Sequence, residues 1–259
     1  MASHPSPEPF IVQFYDPNIQ AKDRRGRTRS SILAWSDDEL EYHHDYIQLL
    51  FPLPEGSPFN PSAPVIDEVT FYAFRSRLEL QTQLRASLQR MLHFYGFQFA
   101  SETGSGGHPQ GLQVLNSSNY SEASRNWLRR FNHNHLRITR ILRSLRVLGL
   151  EKEAWEFFKA LKRVYEGGRI GQKSMMFWTR AIERPLFLAP EDEDYNGGCE
   201  FLYEFESGEE TSFIKSLESS SNDEEEVEEA NDSPETAREN KLPTSDEVDP
   251  PKIISKSEL

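Results

Sequence analysis

Leu80, Leu84, Leu88, Met91, Leu92 and Tyr95 follow one another at intervals of four, four, three, one and three. That spacing returns every side chain to one face of an α-helix, whereas a strand would send alternate residues to opposite faces. The stripe must be buried against other elements, and Gly96 supplies a left-handed stop directly after it. A helical stretch beginning at Asp67 or Glu68 and passing Phe74 is read as leading into it.

Further stripes follow the same period. Ser121 to Leu148 reads as one long helix with Trp127, Phe131, Ile138, Ile141, Leu142 and Leu145 among its apolar positions, ended by Gly149. Glu151–Tyr165 comes next, stopped by Gly167-Gly168, and Gln172–Ile182 follows, with Pro185 closing the core. Near the start, Ser36 and Glu39 have the spacing of a capping box. Leu40, Ile47, Leu50 and Phe51 continue a helix until Pro52 ends it. Five prolines between Phe51 and Pro64 impose an irregular connection, which Phe51 and Phe59 anchor to the body. No alternating pattern is long enough to predict a strand. The fold class is therefore all-α: a single helical domain of about five to seven helices with a Pro-rich loop.

Charge divides the chain. From Glu200 onward there are 19 acidic and 5 basic residues, leaving 23 and 24 in residues 1–199. A segment with that charge and so few apolar groups cannot bury enough surface to offset its ordering entropy. The organisation read from this is a flexible segment over 1–30, a folded domain over 31–195 and a disordered acidic tail over 206–259. The tail is read as solubilising. No run reaches the roughly 20 apolar residues of a membrane span. Met1 to Phe14 has proline and glutamate where a secretion signal has a basic start and an apolar run. Cys199 is the only cysteine, which suits a reducing compartment. The location read is intracellular, nuclear or cytoplasmic, and Lys22 to Arg29 holds a basic cluster of the kind that serves nuclear import.

Chemistry-bearing patterns are few. Glu41 and His44 have the Glu-x-x-His spacing of helix-borne di-iron sites, but no second copy of the motif accompanies them. A metal-dependent enzyme on this motif is the weakest of three readings. Cys199 has no nearby histidine to activate it, and Gly104-Ser105-Gly106-Gly107 lacks the lysine and helix of a phosphate loop. No cofactor is expected, and no catalytic constellation emerges. Arg137, Arg140, Arg143 and Arg146 recur at intervals of three. Such a stripe, if solvated, suits phosphates of nucleic acid or an acidic peptide, and the plainer reading is a helix face paired with acidic neighbours.

Asp37-Asp38-Glu39-Leu40-Glu41, then His44-Asp45-Tyr46-Ile47-Gln48-Leu49-Leu50-Phe51-Pro52, together with Ser57 to Pro64, Met91-Leu92-His93-Phe94-Tyr95-Gly96 and Asn134 to Leu150 closely resemble the conserved domain of the opioid growth factor receptor family. The resemblance runs in order over roughly 10–190. One departure is Leu49, where the family usually has tryptophan. The resemblance implies a non-enzymatic receptor-like or interaction module. The family's named member is described as a receptor for an enkephalin-type peptide, with peripheral association with the nuclear envelope. The expected partner is a peptide or protein, with nucleic acid as the alternative. Its expected contact residues are Trp35, Tyr46, Gln48, Phe59 and Asn60, joined by Arg137, Arg140 and Arg143.

Overall fold

A computed structural model describes residues 8–57, 60–100, 111–193 and 198–208. The chain divides between Lys215 and Ser216, and every described residue lies in the first unit.

The first helix is α1, Phe10–Tyr15. Ile11, Val12, Phe14 and Tyr15 are all buried, and the Tyr15 hydroxyl donates to the carbonyl of Leu50. Asp16, just after the helix, pairs with Arg77 at 2.6 Å. Residues 11–16 are thus packed rather than flexible, while 17–30 stay partly or fully exposed. Four apolar residues within one and a half turns make a buried face, although Pro9 and Pro17 bracket them and hide the period. Next come α2, Arg29–Leu33, and α3, Asp37–Tyr42, whose Ser36 and Glu39 form the expected capping box. The helix does not continue to Phe51. His43 is extended, and α4, Ile47–Leu50, starts afresh.

Likewise α5, Glu68–Ser76, and α6, Leu78–Tyr95, are separate. Arg77 breaks them in an extended conformation while binding Glu8, Asp16 and Glu79. Gly96 ends α6 at φ +85°, and a Cβ there would lie 2.8 Å from the Tyr120 backbone. Only glycine serves both demands.

The chain is not purely helical. β1, Phe97–Phe99, pairs antiparallel with β2, Val114–Asn116, in the register Phe97 to Asn116. Three residues per strand are too few for alternation to show. The loop expected over 101–111 lies, apart from Gly111, outside the described residues.

The long helix expected over 121–148 is broken. It begins as α7, Tyr120–Ala123, passes through a short 3-10 turn, and resumes as α8, Asn134–Val147. Between them Trp127 turns inward. Its indole donates to the Tyr95 carbonyl at 3.0 Å, with Tyr95 and Phe97 ring centroids 5.8 and 5.9 Å away. Phe131, expected inside, is exposed. Then α9, Glu151–Tyr165, and α10, Gln172–Glu183, follow as read, and both pack on α8. The last helix is α11, Glu200–Ser207. Its Phe201 and Phe205 rings meet Phe71 at 5.5 and 5.0 Å. The folded body therefore extends past 195, because two aromatics outweigh the acidic residues around them. The expected tail lies outside the described residues from 209 on. Among the described residues there are eleven helices rather than five to seven. None is long and apolar enough to cross a membrane.

His135 joins three of these elements. A carbonyl only accepts, so Nε2 carries the proton and donates to Trp127 at 2.9 Å, leaving Nδ1 to accept from Ser174 at 2.7 Å. Burial lowers the His135 pKa, only partly opposed by the Trp127 carbonyl. His44 is lowered as well, by burial and then by the Arg137 charge. A depressed histidine leaves the unfolded chain binding protons that the folded chain refuses. Stability is therefore expected to be full above the ordinary histidine value of about 6.5 and to fall as pH drops below it. Urea midpoints at about pH 7.5 and about pH 5.5 check this, with His135→Gln flattening the difference. Equal wild-type midpoints would refute it.

Candidate functional site

The arginines of α8 face inward. Arg137 is 6% exposed, and its Nη atoms donate to the carbonyls of Leu40 at 3.0 Å, His43 at 2.8 Å and Glu41 at 3.4 Å. It also donates to His44 Nδ1 at 2.7 Å, which fixes that ring as an acceptor on this side. One turn on, Arg140 donates to the Phe51 carbonyl at 2.9 Å, and burial pulls its pKa down to about 10. Arg143 reaches Glu55 at 2.6 Å, and the Ser144 hydroxyl bonds the Pro52 carbonyl at 2.8 Å. Arg146 bonds the carbonyls of Ala181 and Arg184.

The cause lies in the other strand of chain. The end of α3 and the Pro-rich connection have carbonyls with no ladder partner, and a buried carbonyl must be satisfied. A guanidinium offers five donors and no acceptor, so Arg137 and Arg140 match such carbonyls, while Arg143 takes the Glu55 carboxylate and Arg146 the carbonyls at the end of α10. The stripe is neither a solvated face nor a phosphate track.

The other expected contact residues scatter in role. Tyr46 is fully buried, with the Arg137 guanidinium 5.5 Å above its ring. Trp35 is half-buried, its ring 5.7 Å from Tyr46 and 4.7 Å from His43. Phe59 lies outside the described residues. Gln48 and Asn60 come together on the walls of an open groove of about 1280 Å³.

That groove has a wall the sequence presents only as a charge run. Residues 22–27 turn back on themselves as Asp23 accepts from the backbone N–H groups of Arg25 and Arg27. Arg27 bridges Asp23 at 2.6 Å and Asp45 at 2.9 Å, and Arg25 joins Asp45 at 3.2 Å. Burial works against the Asp45 charge, yet the Arg27 bond and charge hold its carboxyl below the usual range. These pairs clamp the turn to His43–Gln48. Lys22 and Arg24 are left exposed and without an ion pair among the described residues. Asn60 to Pro64 line the same groove, as does Tyr42, which is 79% exposed. The lining thus combines the cationic 22–27 turn, the segment Asn60-Pro61-Ser62-Ala63-Pro64 and the buried Gln48.

Glu41 and His44 are not both helical, since α3 ends at Tyr42. Glu41 binds His133 at 3.1 Å and Asn134 at 3.0 Å. No group of three or more metal-ligating side chains is gathered among the described residues. Burial pushes the Cys199 thiol up, away from thiolate.

Residues 7–165 match the model of the opioid growth factor receptor (OGFr) conserved region. The chain belongs to that family. It is 36% identical over 143 residues to the opioid growth factor receptor of Rattus norvegicus, covering 54% of this chain and 23% of that protein. Against the Homo sapiens receptor it is 41% identical over 121 residues, covering 45% and 16%. Against opioid growth factor receptor-like protein 1 of Mus musculus it is 32% identical over 142 residues, covering 54% and 28%. The matched stretch is thus under a third of each relative's length. No solved structure matches the chain. Both walls of the groove fall within the family region, whereas α10 and α11 lie beyond it.

Proposed function

We propose that this family member is a receptor-like interaction module that receives a peptide segment of a partner in the Lys22–Pro64 groove, without catalysis. The observation that supports the reading is the groove itself: a clamped cationic turn and a proline-bearing segment lining one open channel. A proline and alanine surface packs an extended chain at little entropic cost, and the unpaired Lys22 and Arg24 favour carboxylates on the incoming segment. The relatives' printed names, receptor and receptor-like protein, agree in kind. Action in the nucleus or cytoplasm fits the lone Cys199.

A photo-crosslinking residue placed at Tyr42 tests the proposal. A discrete partner peptide is expected at Tyr42, with yield cut about tenfold when Lys22→Glu and Arg24→Glu are combined. The same adduct formed equally from exposed Leu78, outside the groove, or undiminished in the double variant, would refute it.

A further inference from the structure

A second, smaller groove of about 470 Å³ lies between the start of α8 and the start of α10. It shares no lining residue with the groove above, and its α10 wall lies beyond the matched family region. Phe131 is 72% exposed and Leu136 55%, and Phe177 lines the far side. Isolated exposed apolar residues are ordinary, but three gathered around one concavity mark an anchor site. The polar groups at its base are already satisfied: His135 and Ser174 bind each other, and Thr139 donates to the His135 carbonyl.

The rim decides the partner. No lining residue is acidic, and Lys173 is among them. Arg130 adjoins through its carbonyl, which accepts from the Gly171 N–H at 3.1 Å. Neither cation has an ion pair among the described residues. We infer that this groove docks a short acidic segment of a partner protein, inserting one bulky apolar side chain between Phe131, Leu136 and Phe177 while flanking carboxylates meet Arg130 and Lys173. Single-stranded nucleic acid fits less well. It would need open ring faces for stacking, but Arg130 lies over Phe131 at 5.7 Å, and Lys173 and Arg180 lie over Phe177 at 6.0 and 5.9 Å. A second copy of the chain docking patch to patch would set like charges against each other across a two-fold axis.

Anisotropy titration of the full chain with a labelled peptide tests the inference. The peptide carries a central Phe-Leu pair flanked by glutamates, and its comparator has lysines in their place. The glutamate peptide is expected to bind, more tightly at low salt. Phe131→Asp and Lys173→Glu are each expected to weaken it about tenfold. An unchanged melting temperature for Phe131→Asp confirms folding, since that ring packs mostly against solvent. Equal affinity for both peptides, no binding, or indifference to both substitutions would overturn the inference. So would loss of binding on Lys22→Glu with Phe131→Asp silent, tighter binding of an oligothymidylate through the same residues, or a dimer that Phe131→Asp dissociates.

Discussion

An Arg137→Met variant is expected to lose roughly 3–5 kcal/mol of folding stability, the scale seen when a buried charged hub is removed from its partners. Methionine matches the stem's length and preserves packing, so the loss isolates the guanidinium. Three carbonyls, those of Leu40, Glu41 and His43, lose a donor at once, and His44 loses its Nδ1 donor. Two of the carbonyls belong to the end of α3, where the backbone has no helical partner. Lysine recovers only part of the loss, because one ammonium on a flexible stem cannot span several acceptors as a planar fork does. Denaturant unfolding of the two variants beside the parent gives the answer. A loss below about 1 kcal/mol, the scale of an exposed ion pair, would show that water replaces the arginine and that the hub is peripheral.

A Trp127→Ala substitution carries a comparable expectation, roughly 3–5 kcal/mol from the cavity left by a large buried ring. Here the loss is transmitted through geometry. The indole binds the Tyr95 carbonyl at the end of α6, and the Trp127 carbonyl accepts from His135 on α8. Phenylalanine restores most of the volume but leaves the Tyr95 carbonyl without its indole donor, so Trp127→Phe is expected to fall between. Thermal melts rank the three proteins. If phenylalanine and alanine prove equally damaging, the hydrogen bond rather than the volume controls the site.

What could be read in the chain, and what could not, follows from what periodicity reports. The α6, α9 and α10 stripes were legible because each buries one face and ends at a break such as Gly96 or Gly167-Gly168. Leu80 and Leu84 have only one place to go. The α8 arginines recur just as regularly, but a period names a face and not what lies opposite it. The carbonyl partners of Arg137 and Arg140 sit 89 to 97 positions earlier, and the Glu55 carboxylate that meets Arg143 sits 88 earlier, too far for any local pattern to register. The breaks at His43 and at Trp127–His133 share that origin, since tertiary hydrogen bonds override helix propensity there. At the groove, Gln48 and Asn60 carry no periodic signal that would place them together, and Lys22 to Arg27 shows only as charge. Its fold depends on Asp45, eighteen residues beyond Arg27, and no rule of spacing links them.

The long reach between α8 and the segment it holds also orders events in time. A ribosome releases Leu40 to Glu55 well before it makes Arg137 to Ser144, so Tyr46, Leu50 and Phe51 wait without the side chains that fix them. Such distant pairings slow folding relative to helical bundles whose contacts are local, and they leave apolar groups uncovered on the nascent chain. Any fragment stopped before Asn134 holds the residues of the Lys22–Pro64 groove but none of the α8 side chains that fasten the neighbouring backbone. The N-terminal half therefore depends on sequence not yet synthesised, and truncation before α8 is expected to unfasten the groove's backbone without touching one residue that lines it.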